Sequence, residues 1–274
     1  MNRPAMRYLP NCSLLFAELP LLERPAAAKA AGFDAVEFWW PFAEAVPADA
    51  EVEAFVTAIS DAGVALVGLN FFAGDLAGPD CGVLSLPARS PEFRANLAVA
   101  ASIAGRLGVR GLNALYGNRA DGVSPQEQDE LATENLVLAA EAVAAAGATV
   151  LVEPISGPKP YPLRTAADAV AVVDRVRAAG APNVGFLFDL FHLGANGDDL
   201  DEAITRHFDV IAHVQIADVP GRGEPGSGEL DLMGRLQTLQ DKGYDGWVAL
   251  EYKPSTGDTA ESLHWLPRAR RGAA

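Results

Sequence analysis

Four apolar runs in the second half of this sequence end on polar groups that a buried strand cannot carry without a partner. VLVEP ends on Glu153. FLFDLFH supplies Asp189 and, three residues on, His192. HVQIAD supplies His213, Gln215 and Asp218, and ALEYKP supplies Glu251 and Lys253. An unpaired charge in an apolar interior is strongly unfavourable, so such residues imply a shared reason for being there. Glu153, Asp189, Gln215 and Glu251 are all oxygen ligands, carrying three negative charges and one neutral carbonyl. That set suits Mg²⁺ or Mn²⁺ better than a thiolate-loving ion. Three crowded carboxylates without a cation would force one of them to keep its proton, and a divalent metal resolves the conflict. A single Glu at a strand end often caps a helix or pairs with a lysine. Four such groups on successive runs point instead to one common site, with Glu153 and Glu251 at its centre.

The elements that must position these groups alternate along the chain. Strands are expected near 6–11, 34–38, 64–69, 110–115, 148–153, 184–189, 210–216 and 247–251. Helices are expected at 21–31, 50–62, 90–107, 125–146, 165–179, 199–207, 229–242 and 258–270. Runs such as ATVLVEP and NVGFLFD read as strands covered on both faces, as in parallel sheets. Eight strand–helix units predict an α/β fold, a (β/α)8 TIM barrel occupying residues 1–274 as a single domain, with the strand ends converging on one mouth. The segments AAGFDAVEF at 30–38 and DKGYDGWVALEY at 241–252 echo one another, each turning through Gly and Asp into a strand that finishes on Glu. The Gly/Pro-rich loops 71–90 and 217–228 both follow strands and belong on the same face as the site. A doubly wound open sheet is the alternative, but no GxGxxG follows the first strand.

Composition bounds the function. Half of the 274 residues are hydrophobic, which excludes a disordered chain. No apolar run reaches membrane-spanning length, so no membrane partner is expected. A formal charge of −15 repels phosphate backbones and argues against a nucleic-acid partner. The opening MNRPAMRYLPNCSLLF lacks the pattern of a secretory signal, which makes a cytoplasmic location the expectation. Cys12 and Cys81 read as small apolar residues rather than a disulfide framework. The WWP segment at 39–41 is a candidate for the pocket wall or for a contact in a homo-oligomer.

The sequence resembles the hydroxypyruvate isomerase family of xylose-isomerase-like barrels. The matching segments are PNCSLLF at 10–16, GFDAVEFWWPF at 32–42, NFFAGD at 70–75, VEPIS at 152–156, FDLFH at 188–192, HVQIADVPGRGEPGSGEL at 213–230 and GYDGWVALEYKP at 243–254. The resemblance implies that Glu153, Asp189, Gln215 and Glu251 hold the metal, and that Glu153 and Glu251 also transfer protons. The implied activity is a metal-dependent aldose–ketose isomerisation of a small hydroxy-keto acid or sugar, most directly hydroxypyruvate to tartronate semialdehyde through a cis-enediolate. His192 and Lys253 are candidates to position substrate oxygens, and Arg222 and Lys253 to meet a substrate carboxylate. Glu37, ending strand two, and Asn70, opening NFFAGD, are further substrate-binding candidates. Glu37 could equally neutralise a neighbouring cation.

Two departures from the family pattern lie beside the mouth: Leu76 stands where Trp is common, and Ser156 where Asn is common. They leave the metal set intact and bear on the substrate. The alternatives are an isomerase or epimerase of a related keto-sugar or four-carbon 2-oxo acid (2-oxotetronate), a metal-dependent endonuclease on abasic DNA, and a non-catalytic metal-binding barrel.

Overall fold

The computed structural model describes residues 6–76, 78–157 and 159–272. Residues 1–5, which open the segment read for a secretory signal, lie outside the described residues, as does the end of the 1–274 span. Eight strands form among the described residues: β1 (Arg7–Pro10), β2 (Ala35–Phe38), β3 (Ala65–Asn70), β4 (Gly111–Asn113), β5 (Thr149–Val152), β6 (Val184–Asp189), β7 (Ile211–Ile216) and β8 (Trp247–Leu250). All pair in parallel, in the order β1-β8-β7-β6-β5-β4-β3-β2. The two ends of this sheet meet just past the strands. Asn11 and Glu37 form a parallel bridge, and the Cys12 N–H donates to the Glu37 carbonyl at 2.8 Å. The TIM-barrel expectation is therefore met.

The helices are α1 (Arg24–Ala30), α2 (Asp49–Ala62), α3 (Ser90–Leu107), α4 (Pro125–Ala144), α5 (Ala166–Ala178), α6 (Leu190–Asn196), α7 (Leu200–His207), α8 (Leu232–Lys242) and α9 (Thr259–Ser262). Local chemistry sets their starts. Ser124 and Glu127 form a capping box around Pro125, the first residue of α4, and Thr165 and Asp168 do the same for α5. The echoing segments share a turn: Gly32 and Gly243 have φ of 102° and 103°, a backbone that side chains disfavour. Two expectations are corrected. The last helix is not continuous over 258–270: α9 is one turn, and after Pro267 only a short 3-10 turn, Arg268–Arg270, follows, because proline cannot donate into a helix. A helix absent from the sequence reading, α6, begins directly at the end of β6.

Side-chain alternation divides inside from outside. Leu9, Ala35, Val67 and Ala249 form a small cluster separate from the main helix-facing core. Leu9, Ala35 and Ala249 each stand two residues before Asn11, Glu37 and Glu251. A period of two places these later residues on the same, inward side. Register shifts add an extra residue, Val67 opposite β2 and Ala212 opposite β6, which re-aims the strand ends that follow.

Candidate active site

Every strand delivers one buried polar side chain to the same end of the barrel: Asn11, Glu37, Asn70, Asn113, Glu153, Asp189, Gln215 and Glu251. Neighbours face each other in register: Asn70 with Asn113, Asp189 with Gln215, and Asn11 with Glu37. One ligand atom from each of Glu153, Asp189, His192 and Glu251 lies within 4.8 Å of the others.

Their hydrogen bonds decide which atoms remain available. Asp189 ends β6 and caps α6, so its Oδ1 accepts the N–H groups of Phe191 (2.7 Å) and His192 (3.3 Å). Its Oδ2 turns to the cluster. Glu153 Oε2 accepts from Asn113 Nδ2 at 2.6 Å, while its Oε1 has no partner. Gln215 donates Nε2 to Glu37 Oε1 at 2.9 Å and also to Glu251 Oε2. These two acceptors fix which way the amide faces, and they leave Gln215 Oε1 buried without a partner. A buried unsatisfied oxygen costs about 1–3 kcal/mol. Two of them, one on Gln215 and one on Glu153 itself, beside the carboxylates of Asp189 and Glu251, fit the hard, oxygen-preferring environment of a divalent cation.

His192 belongs to this cluster in a different capacity. The Ser156 backbone N–H donates to His192 Nδ1 at 2.9 Å. Burial holds the imidazole well below its usual pKa, so it is neutral. With Nδ1 accepting, the ring proton sits on Nε2, which lies 3.9 Å from Glu153 Oε1 and 3.8 Å from Asp189 Oδ2. In this tautomer Nε2 presents a donor to the cavity and not a lone pair for a metal.

Above the cluster opens a cavity of about 400 Å³, whose lining includes Trp39, Asn70, Leu76, Cys81, Ser156, Lys159, His192, Arg222 and Lys253 as well as Glu153 and Glu251. Both long loops reach it, through Leu76 and Arg222, and so do both departures from the family pattern, Leu76 and Ser156. Trp39 of the WWP segment is part of its wall.

The xylose isomerase-like TIM barrel family model matches residues 25–269. A protein of Streptomyces coelicolor named "Putative hydroxypyruvate isomerase" is 56% identical, over 97% of this chain and 98% of its own. The chain belongs to the hydroxypyruvate isomerase family of xylose isomerase-like barrels. Hydroxypyruvate isomerase of Escherichia coli is 32% identical, over 95% of this chain and 98% of its own. 2-Oxo-tetronate isomerase of Cupriavidus necator is 36% identical, over 95% and 97%. A solved structure from Brucella melitensis, titled an AP endonuclease of family 2, superposes with a TM-score of 0.84 at 34% identity, covering 95% of this chain and 97% of that one. The hydroxypyruvate and 2-oxo-tetronate isomerase relatives make the protein an isomerase.

Within this isomerase, burial and mutual repulsion dominate the electrostatics. Burial, then Glu251 and Asp189, push the Glu153 carboxyl well above the usual carboxylate range. Burial pushes Glu251 up to about 8, against the lowering influence of Arg222. Burial likewise raises Asp189. Arg222, expected to meet a substrate carboxylate, lines the cavity with its guanidinium turned to Glu251. Its Nη2 pairs with Glu251 Oε1, its Nε reaches the Glu251 carbonyl at 3.3 Å, and its guanidinium lies over Phe191 and Trp39 at 5.1 and 5.9 Å. It adopts a φ of 60°, unusual for a non-glycine residue. Lys253 lines the cavity with its side chain exposed and does not pair with Glu251.

Glu37 is placed otherwise than expected of a substrate-binding residue. It does not line the cavity. Its Oε1 accepts from Asn11 Nδ2 and Gln215 Nε2, both at 2.9 Å, and its Oε2 lies 2.7 Å from His213 Nε2. A Cβ on Gly68 would come within 2.8 Å of Glu37 Oε2, so this packing requires glycine at 68. Asp218 is also structural: its carboxylate accepts the N–H groups of Val219, Gly226 and Leu230 and holds the 217–228 loop together.

Sequence reading missed Asn11, Asn113 and Lys159. Asn113 ends GLN of β4 at the same level as Glu153, but a three-residue strand carries too little pattern to mark it. Asn11 lies one residue beyond β1 and Lys159 lies in a loop, where no periodicity marks them.

Proposed function

We propose that this isomerase interconverts hydroxypyruvate and tartronate semialdehyde, with Glu153 and Glu251 exchanging protons with adjacent substrate carbons. The observation that carries the reading is the pair of unpartnered oxygens, Glu153 Oε1 and Gln215 Oε1, in a buried cluster whose carboxyl pKa values are raised. A carboxyl raised toward neutrality, as Glu251 is at about 8, is suited to accept a proton and to return it. Glu153, Asp189, Gln215 and Glu251 would hold the divalent cation, Mg²⁺ or Mn²⁺, which when bound supplies Lewis-acid polarisation of the substrate carbonyl and hydroxyl.

The chain's own residues do the rest. One of the two glutamates removes a proton from C3 of hydroxypyruvate, the other delivers a proton to C2, and the hydroxyl proton passes from O3 to O2, so that C3 becomes the aldehyde and C2 the carbinol. Arg222 favours ionised Glu251, which keeps that carboxylate competent. His192 donates Nε2–H to a substrate oxygen, with Ser156 holding the tautomer. Asn70 and Lys253 contact substrate from the cavity wall. Trp39, Leu76 and Ile155 enclose it and limit water.

A four-carbon 2-oxo acid is the second reading, favoured by the Cupriavidus necator relative, which is more similar to this chain than the E. coli relative is. A role on abasic DNA is disfavoured by the charge of −15. The test is incubation with hydroxypyruvate and 2-oxotetronate in Mg²⁺ or Mn²⁺, following the aldehyde product of the first by coupled reduction and the 3-keto product of the second by NMR. Turnover abolished by chelator and restored by metal supports the reading. Faster turnover of 2-oxotetronate selects the second.

A further inference from the structure

Lys159 stands six residues after Glu153, on the loop between β5 and α5, and lines the cavity. Its Nζ donates to the backbone carbonyl of Asp80. The Asp80 carboxylate is turned elsewhere: Oδ2 accepts from Arg89 Nη1 at 2.9 Å and from the Asp75 N–H at 2.8 Å. The ammonium is therefore held by a neutral oxygen. Among the described residues it has no carboxylate partner. The other cavity cations differ. Arg222 is committed to Glu251, and Lys253 is exposed.

The floor of the cavity already crowds Glu153, Asp189 and Glu251 together. A substrate that brings a further carboxylate into this field needs a fixed cation of its own, whereas a neutral ketose does not. We propose that Lys159 seats the substrate carboxylate and thereby selects 2-oxo acids over neutral ketoses. One ammonium with one donor spent on a carbonyl has two N–H groups left. That matches a carboxylate better than a phosphate dianion. The proposal deepens the functional reading above and rests on it.

The test is steady-state kinetics of wild type, Lys159→Met, Lys159→Arg and Lys253→Met. The probes are hydroxypyruvate, dihydroxyacetone phosphate, and hydroxyacetone, which keeps the carbonyl and hydroxyl but carries a methyl in place of the carboxylate. Hydroxyacetone is read as substrate or as competitive inhibitor. Lys159→Met should raise KM for hydroxypyruvate roughly 10- to 100-fold, as loss of a charge-assisted hydrogen bond does. It should leave hydroxyacetone nearly unchanged, and Lys159→Arg should recover most of the loss. Equal losses on both probes, no loss on hydroxypyruvate, a larger effect in Lys253→Met, or a wild-type preference for dihydroxyacetone phosphate would overturn it. If wild type converts no hydroxy-keto acid, the functional reading fails separately. The seat is then read from calorimetric binding of tartronate, an unreactive hydroxy-diacid. Weaker binding to Lys159→Met than to wild type upholds it, and equal binding refutes it.

Discussion

Gln215 donates its side-chain amide to Glu37, Nε2 to Oε1 at 2.9 Å, and this bond is what frees Gln215 Oε1 for the buried cluster. An amide is nearly symmetric in shape, so only its partners decide which end faces inward. Glu37, itself held by Asn11 and His213, makes that decision together with Glu251 Oε2, which also accepts from Nε2. Replacing Glu37 with Leu should therefore weaken Mn²⁺ binding to the purified protein by about 10- to 100-fold, the usual cost of removing a residue that orients a metal ligand. Calorimetry reads this directly. Unchanged affinity would show that Glu37 serves only to fill space.

Strand-end polar residues are legible where an unbroken apolar run precedes them. Glu153, Asp189 and Glu251 follow VLV, FLF and VAL, so their cost of burial is visible in one dimension. The signal is weak in β4, whose three residues, Gly111–Asn113, leave too little pattern to mark Asn113. Lys159 was illegible for another reason. Its place at the cavity depends on Asp80, which is brought across from a different loop. The role of Glu37 was legible as a buried charge but not as a scaffold, because its partners His213 and Asn11 come from strands far apart in sequence. At the C-terminal end, the charged and apolar spacing of 258–270 suggested a helix, and Pro267 overruled it.

Stability of the cation-free protein should fall as pH rises. Glu251 is pushed from 4.5 up to about 8 in the fold, chiefly by burial. Glu153 moves in the same direction. Between the unfolded and folded pKa values the native state holds protons that the unfolded chain has released, so unfolding free energy decreases with pH across that window. A divalent cation favours the ionised forms and reverses the effect. The gain in Tm on adding Mg²⁺ or Mn²⁺ should thus grow from pH 5.5 to pH 8, and Glu251→Gln should flatten the trend. A Tm gain independent of pH would mean that the cation does not engage these carboxylates.

Proton exchange by two different glutamates, Glu153 and Glu251, leaves a mark in the isotope content of the product. If one glutamate takes the C3 proton and the other supplies C2, the hydrogen that arrives at C2 comes from a carboxyl group equilibrated with solvent. Hydroxypyruvate is converted in D2O, and the aldehyde is trapped at once by coupled enzymatic reduction. The resulting glycerate should carry one deuterium at C2, and both Glu153→Gln and Glu251→Gln should lose turnover. Hydrogen carried intact from C3 to C2, or full activity in either variant, would contradict exchange by two glutamates.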